Sequence, residues 1–298
     1  MLAESFNNLN EKYKMVVNDS SPISNSDNSK LDIAYDFDEL KMYFGDDYWV
    51  TDKICITQPT IGDILEFGDT KFYSILNLFC SNPTSLRLQL WRMGIDWNKI
   101  SDFELFSQII VHNFTPKDTY LLFGNLNFSW FEYVHDNKKD CNLLIYIPRN
   151  ENGEMISVDY NDAIVIDEFI YTKIVKYLCL MFNLHFKIEL AKNKATKEAM
   201  IWEDEMNLNA ENEKRKKMEC SKSFLLPLIS AMVNHPGFKY KTNELKEIGI
   251  VQFMDSVKRL QIYENSTALL KGMYSGFIDI SKDKNLQKQI NWLKDLNE

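Results

Sequence analysis

The chain has 298 residues, 45% of them hydrophobic, which is enough to fill a sizeable core. Its 43 acidic against 34 basic side chains give a formal net charge of -9, an excess that repels a phosphate backbone and argues against nucleic acid as a partner. The five cysteines, Cys55, Cys80, Cys141, Cys179 and Cys220, are odd in number and include no Cys-x-x-Cys pair, so they predict reduced thiols in the core and no disulfide framework.

The start, "MLAESFNNLNEKYK", lacks a basic stretch followed by an apolar run, so no secretory signal is expected. Residues 1–30 are rich in turn formers and poor in large apolar groups. They cannot bury enough surface to offset the entropy of ordering, which predicts a flexible polar arm that could order against a neighbour. "WVTDKICIT" reads as a strand, and "PTIGDILEFG" follows it. Closely spaced glycines can open a phosphate-holding loop, but no lysine stands where such a loop needs one. Thr60 with Asp63 three residues on predicts an ordinary capped helix instead. Phe72, Ile75, Leu76 and Phe79 then share one helical face, and Gly68 divides the region into two helices. A helix restarts after Pro83, and Ser101 with Glu104 forms a second capping box.

The middle changes period. "LNFSWFEYVH", "CNLLIYIP" and "EMISVDY" predict three antiparallel strands, extended by "AIVI" at 163–166. Asp167 then caps a helix whose Ile170, Ile174, Tyr177, Leu178 and Met181 share a face. Lys176 and Tyr177 interrupt its apolar run, which is far short of the roughly 20 residues that cross a bilayer, so no membrane partner is expected. Residues 195–222 place acids first and bases last, the order that suits a helix dipole, and read as a solvated helix. Leu225, Leu228, Ile229 and Met232 form a stripe that stops at His235-Pro236-Gly237. Ile250, Phe253, Met254, Val257 and Leu260 form another, and Leu269, Leu270, Met273 and Tyr274 one more.

These elements predict an α+β fold, mainly α: a helical body with an inserted small antiparallel β-meander. Its parts are the arm at 1–30, a strand and helical region at 31–125, the β insertion at 126–166 and a C-terminal helical region at 167–298.

Chemistry is sparse. His135 with Cys141, and Cys179 with His185, each offer two soft ligands where zinc wants three or four, so no metal is expected. No nucleophile elbow occurs, and the acid groups Asp167-Glu168 and Glu203-Asp204-Glu205 read as a helix start and a solvated face. No catalytic, cofactor-binding or metal-binding residue is therefore expected. In "FMDSVKRLQ", Asp255 and Arg259 stand at ion-pair spacing, and Lys258 and Arg259 could meet an acidic partner.

In order, "ITQPTIGDILEFGDTKFYSIL", "GIDWNKISDFELF", "IDEFIYTKIVKYL", "NKATKEAM" and "FMDSVKRLQ" resemble a group of proteins from tailed bacteriophages of low-GC Gram-positive bacteria, over about residues 45 to 275. Members look like tail-module proteins, similar to tail assembly chaperones. The resemblance implies a non-catalytic protein of the host cytoplasm that binds the tape-measure protein during tail assembly. The alternative it implies is a permanent virion part, such as a connector, baseplate or tail-tip component, whose arm orders on assembly. Its partners would be tape-measure, tail or baseplate proteins, with oligomerisation left open. Under this resemblance the exposed members of the Phe253 and Leu269 stripes, with Met273, Lys258 and Arg259, are the candidate partner-binding residues.

Overall fold

The computed structural model describes residues 37–136, 140–150, 155–156, 163–217, 223–277 and 284–293. The expected N-terminal arm lies outside these residues. Within them the fold is α+β and mainly α, with a short hairpin and a small antiparallel sheet.

The chain enters through α1 (Glu39–Phe44), which Asp38 caps by accepting from the backbone N–H groups of Leu40 and Lys41. The expected single strand at 49–57 is two short strands, β1 (Tyr48–Trp49) and β2 (Cys55–Ile56), paired antiparallel. The reason is the Thr51 hydroxyl. It accepts from the N–H groups of Lys53 and Ile54 at 3.3 and 3.1 Å and so turns the chain inside a β-branched run.

Helix α2 (Ile61–Phe67) opens on the predicted capping box: Asp63 N–H donates to Thr60 Oγ1, and Thr60 N–H donates to Asp63 Oδ2. Gly68, at φ 95°, ends α2 and begins α3 (Asp69–Phe79), a backbone state that a side chain would disfavour. Helix α3 turns Phe72, Tyr73, Leu76 and Phe79 into the core. The Phe79 ring centre lies 4.9 Å from Phe106, 5.3 Å from Phe114 and 5.2 Å from both Phe123 and Phe128. Aromatic pairs at such spacings add to the roughly 1.5–3 kcal/mol gained by burying each large apolar side chain.

Helix α4 (Arg87–Arg92) follows, then α5 (Asp102–Leu105), capped by Ser101 and Glu104 as expected. Helix α5 widens into a π turn over Phe106–Ile110, which buries Ser107 between Phe106 and Ile110. Helix α6 (Pro116–Phe123) completes this layer.

The sheet consists of β3 (Phe131–Asp136), β4 (Cys141–Tyr146) and β5 (Val165–Ile166) in that order. Its third strand is thus the "AIVI" segment. Most of "EMISVDY" lies outside the described residues, and Met155 makes one isolated bridge to Arg149. Leu144 and Ile166, opposite one another, join the core.

Helix α7 (Glu168–Phe182) is capped by Asp167, which accepts from Ile170 N–H at 2.7 Å, and ends on Asn183 in the left-handed region. It buries Tyr171, Ile174, Tyr177, Leu178, Met181 and Phe182. An extended stretch then runs to α8 (Lys194–Lys217), held by the side chains of Asn82 and Asn98, which donate to Lys187 O and Ala191 O. Helix α9 (Leu225–Asn234) buries Leu225 and Met232 before His235. Helix α10 (Ile250–Tyr274) carries both predicted C-terminal stripes on one continuous rod, and α11 (Lys284–Gln289) folds back on it through Ser266 Oγ, which donates to Gln289 O at 2.6 Å.

The "PTIG" stretch makes the principal join between α2 and the C-terminal helices. Ile61 N–H donates to Ile248 O at 2.9 Å and Ile250 N–H donates to Pro59 O at 3.1 Å, so the first turns of α2 and α10 satisfy each other's free amides. The approach is close. A Cβ at Gly62 would lie 2.7 Å from Lys246 O, and one at Gly249 would collide with Gln58 Oε1. This stretch is a capped helix start packed against backbone, in agreement with the sequence reading.

Candidate docking cleft

An open cleft of about 180 Å³ lies where α1, the end of α7 and the first half of α10 meet. Helix α10 supplies Val251, Met254, Asp255, Lys258 and Arg259, spaced so that they fall beside the buried stripe of Ile250, Phe253 and Val257. Met42, from α1, and Met181, from α7, are buried and join Met254 in an apolar floor. Gln58 fixes that wall of the cleft by donating from Nε2 to Met42 O at 2.7 Å. Glu39 and Tyr43 stand across from the charged residues of α10.

The electrostatics of the rim are mixed. Burial pushes the Asp255 carboxyl up, and the nearby charges of Arg259 and Lys258 pull it back. Burial also raises the Tyr43 phenol, with the negative charge of Asp255 adding to it. Arg259 Nε lies 3.9 Å from Asp255 Oδ1, the ion pair expected from the spacing, and its guanidinium also donates to Trp292 O at 3.2 Å. Soft methionine side chains on the floor adapt to varied apolar shapes, while a partly buried acid and two bases at the edge select for charge.

Of the five candidate partner-binding residues, Lys258 and Arg259 line this cleft. Phe253 does not. It is 0% exposed, and its ring packs edge-on against Phe238, so it belongs to the core and drops out of the binding set. The stripe was legible, but its middle faces the body and its flank faces the cleft. Leu269 and Met273 are half-buried farther along α10, near the exposed Tyr274 and Phe277.

The other groups weighed for chemistry have local partners. His135 Nδ1 lies 2.8 Å from Asn142 Oδ1, which also accepts from the Tyr133 hydroxyl, and Cys141 faces Asp136 across the hairpin. His185 Nε2 lies 3.2 Å from Asn183 Oδ1. Cys179 is instead hydrogen-bonded to Cys80, whose thiol burial pushes well up. Among the described residues no group of three or more His, Cys, Asp or Glu could hold a metal ion. Burial raises Glu168, and the neighbouring acids Glu104, Asp102 and Asp167 add to it, while Asp167 itself is engaged as a cap.

The Glu203-Asp204-Glu205 run departs from the solvated face expected of it. Asp204 takes a two-pronged pair from Arg87, at 2.5 Å from Nε and 2.6 Å from the second terminal nitrogen, and Glu205 pairs with Arg92 at 3.4 Å. Sequence reading missed this clamp, and it also missed Met42, Tyr43 and Leu180 as cleft walls. A signal for α1 was available in Asp38 with Gly45 seven positions on.

The described residues thus form a mainly helical α+β fold with an open cleft that has an apolar floor and a charged rim. The family model described as YomV second domain matches residues 214–297, a span from the last turn of α8 through α9, α10 and α11. YomV is a Bacillus phage-type protein, and the match is consistent with a phage protein. No curated protein and no solved structure matches the chain.

Proposed function

We propose that this protein acts without catalysis in phage tail morphogenesis, as a tail assembly chaperone that binds the tape-measure protein in the host cytoplasm. The observation that carries the reading is the cleft, whose α10 wall lies inside the segment that matches a phage-associated domain. A helix laid across it would seat an apolar side chain among Met42, Met181 and Met254 and an acidic one beside Lys258 and Arg259. Most of the binding energy would come from apolar area removed from water, with the charges setting orientation. The half-buried Leu269 and Met273 extend the same helix and offer further apolar contact. The net charge of -9 supports protein and not nucleic acid as the partner.

The test is purification of the tagged full chain from infected cells. The tape-measure protein is expected to come down with it, to be lost with Met254→Glu, and the chain is expected to be missing from purified particles. A fixed copy number in particles would contradict the chaperone role and mark a virion part instead. Recovery without tape-measure protein would contradict it as well.

A further inference from the structure

Helix α8 carries two stripes on nearly opposite sides. One faces the body: Lys197 bonds Asp96, Ile201 is buried, Asp204 bonds Arg87, and Leu208 packs against the core. The other is formed by Ala195, Ala199, Trp202, Met206 and Asn209, at alternating steps of four and three, and every one of them is exposed. Trp202 is 65% exposed and Met206 52%. A step pattern of this kind keeps side chains in line along a helix and is the seam geometry by which two helices pack. Glu198 and Glu203, both exposed, border the seam on its two sides, and Glu198 makes only a loose, solvent-exposed pair with Lys194 at 3.8 Å.

We infer that this face of α8 is a docking surface for a basic amphipathic helix, one with apolar side chains at heptad spacing and Lys or Arg on both flanks. Trp202 is the anchor, because a large aromatic group loses most water on contact and dominates such interfaces. Ala195 and Ala199 let the incoming backbone approach closely, and Met206 fills the next step along the seam. The two glutamates select the partner's charge. They also oppose a second copy of the chain in parallel register, since that pairing sets Glu198 against Glu203 of the other copy. The inference does not depend on the tail-assembly reading, which rests on a cleft formed by other helices.

The test uses the full chain and two synthetic peptides of about three heptads, with leucine on the seam and either lysine or glutamate at the flanks. By titration calorimetry the lysine peptide is expected to bind and the glutamate peptide to show no binding. Trp202→Ala is expected to weaken the lysine peptide at least about tenfold, and Met206→Ala about threefold, with the circular dichroism spectrum unchanged. Glu198→Lys with Glu203→Lys is expected to reverse the preference, while Met254→Glu in the cleft leaves it intact. Failure of the lysine peptide to bind, equal binding of both peptides, or undiminished binding by Trp202→Ala would overturn the inference. So would sedimentation as a dimer that Trp202→Ala dissociates, since a second copy would then be the occupant.

Discussion

Helices α7 and α8 follow one another in the chain and are fastened in opposite ways. Helix α7 sends six large side chains into the core, and its Tyr171 ring stacks on Phe106 at 4.6 Å. Helix α8 fully buries Ile201, with Met200 and Leu208 packed at the edge, and is otherwise held by charge. Arg87 grips Asp204, Lys197 bonds Asp96 at 2.5 Å while lying over the Trp97 ring, and Arg92 meets Glu205. The difference teaches where function can reside. A helix buried in the core has its apolar face occupied, whereas one fastened by polar groups on one side keeps its other side open to a partner.

The sharpest break in this contrast is Phe182→Ala in α7. Phe182 is buried against Phe72 and Tyr73, and its loss is expected to cost about 3–5 kcal/mol in urea unfolding. Gly62→Ala tests the join between α2 and the C-terminal helices. The new methyl group meets backbone at Lys246 O, and a loss of about 1–3 kcal/mol is expected from the same measurement.

Arg87→Met addresses α8 itself. The Arg87 side chain is 12% exposed and Asp204 24%, so the pair is not fully dry, and a loss of about 1–2 kcal/mol is expected. Its clearer signature is faster hydrogen exchange confined to α8 and the stretch before it. Acid should produce a milder version. The hydrogen bond from Lys197 holds the Asp96 carboxyl below the usual aspartate range. That pair therefore contributes fully above the ordinary value of about 4, and its contribution is lost as pH falls through the lowered one. Exchange in α8 should quicken there while α7 stays protected. Lys194→Ala removes an exposed pair with Glu198 at 3.8 Å, and a change within about 0.5 kcal/mol is expected.

What could be read from the sequence follows the same division. The caps at Thr60, Ser101 and Asp167, the break at Gly68 and the buried stripes of α3, α7 and α10 are set by residues within one or two turns of each other, so spacing alone reveals them. The grip of Arg87 on Asp204 joins residues 117 positions apart, and no local pattern announces it. The hairpin at 48–56 was hidden because Thr51 favours a strand by composition and makes a turn through its hydroxyl. At the cleft, the half-buried Lys258 and Arg259 could be picked out from the sequence as charged residues beside the stripe, through the spacing of Arg259 with Asp255. Phe253 was not, since periodicity finds a stripe without saying which edge of it faces the body.

Hydrogen exchange of the full chain at low and high salt tests the contrast most directly. Salt weakens charge pairs, the half-buried ones of α8 less than fully exposed ones, and leaves apolar burial in place, so α8 amides should exchange modestly faster at high salt while those of α7 hold their protection. Equal protection of the two helices at both salt concentrations, or a parallel loss in both, would contradict the account.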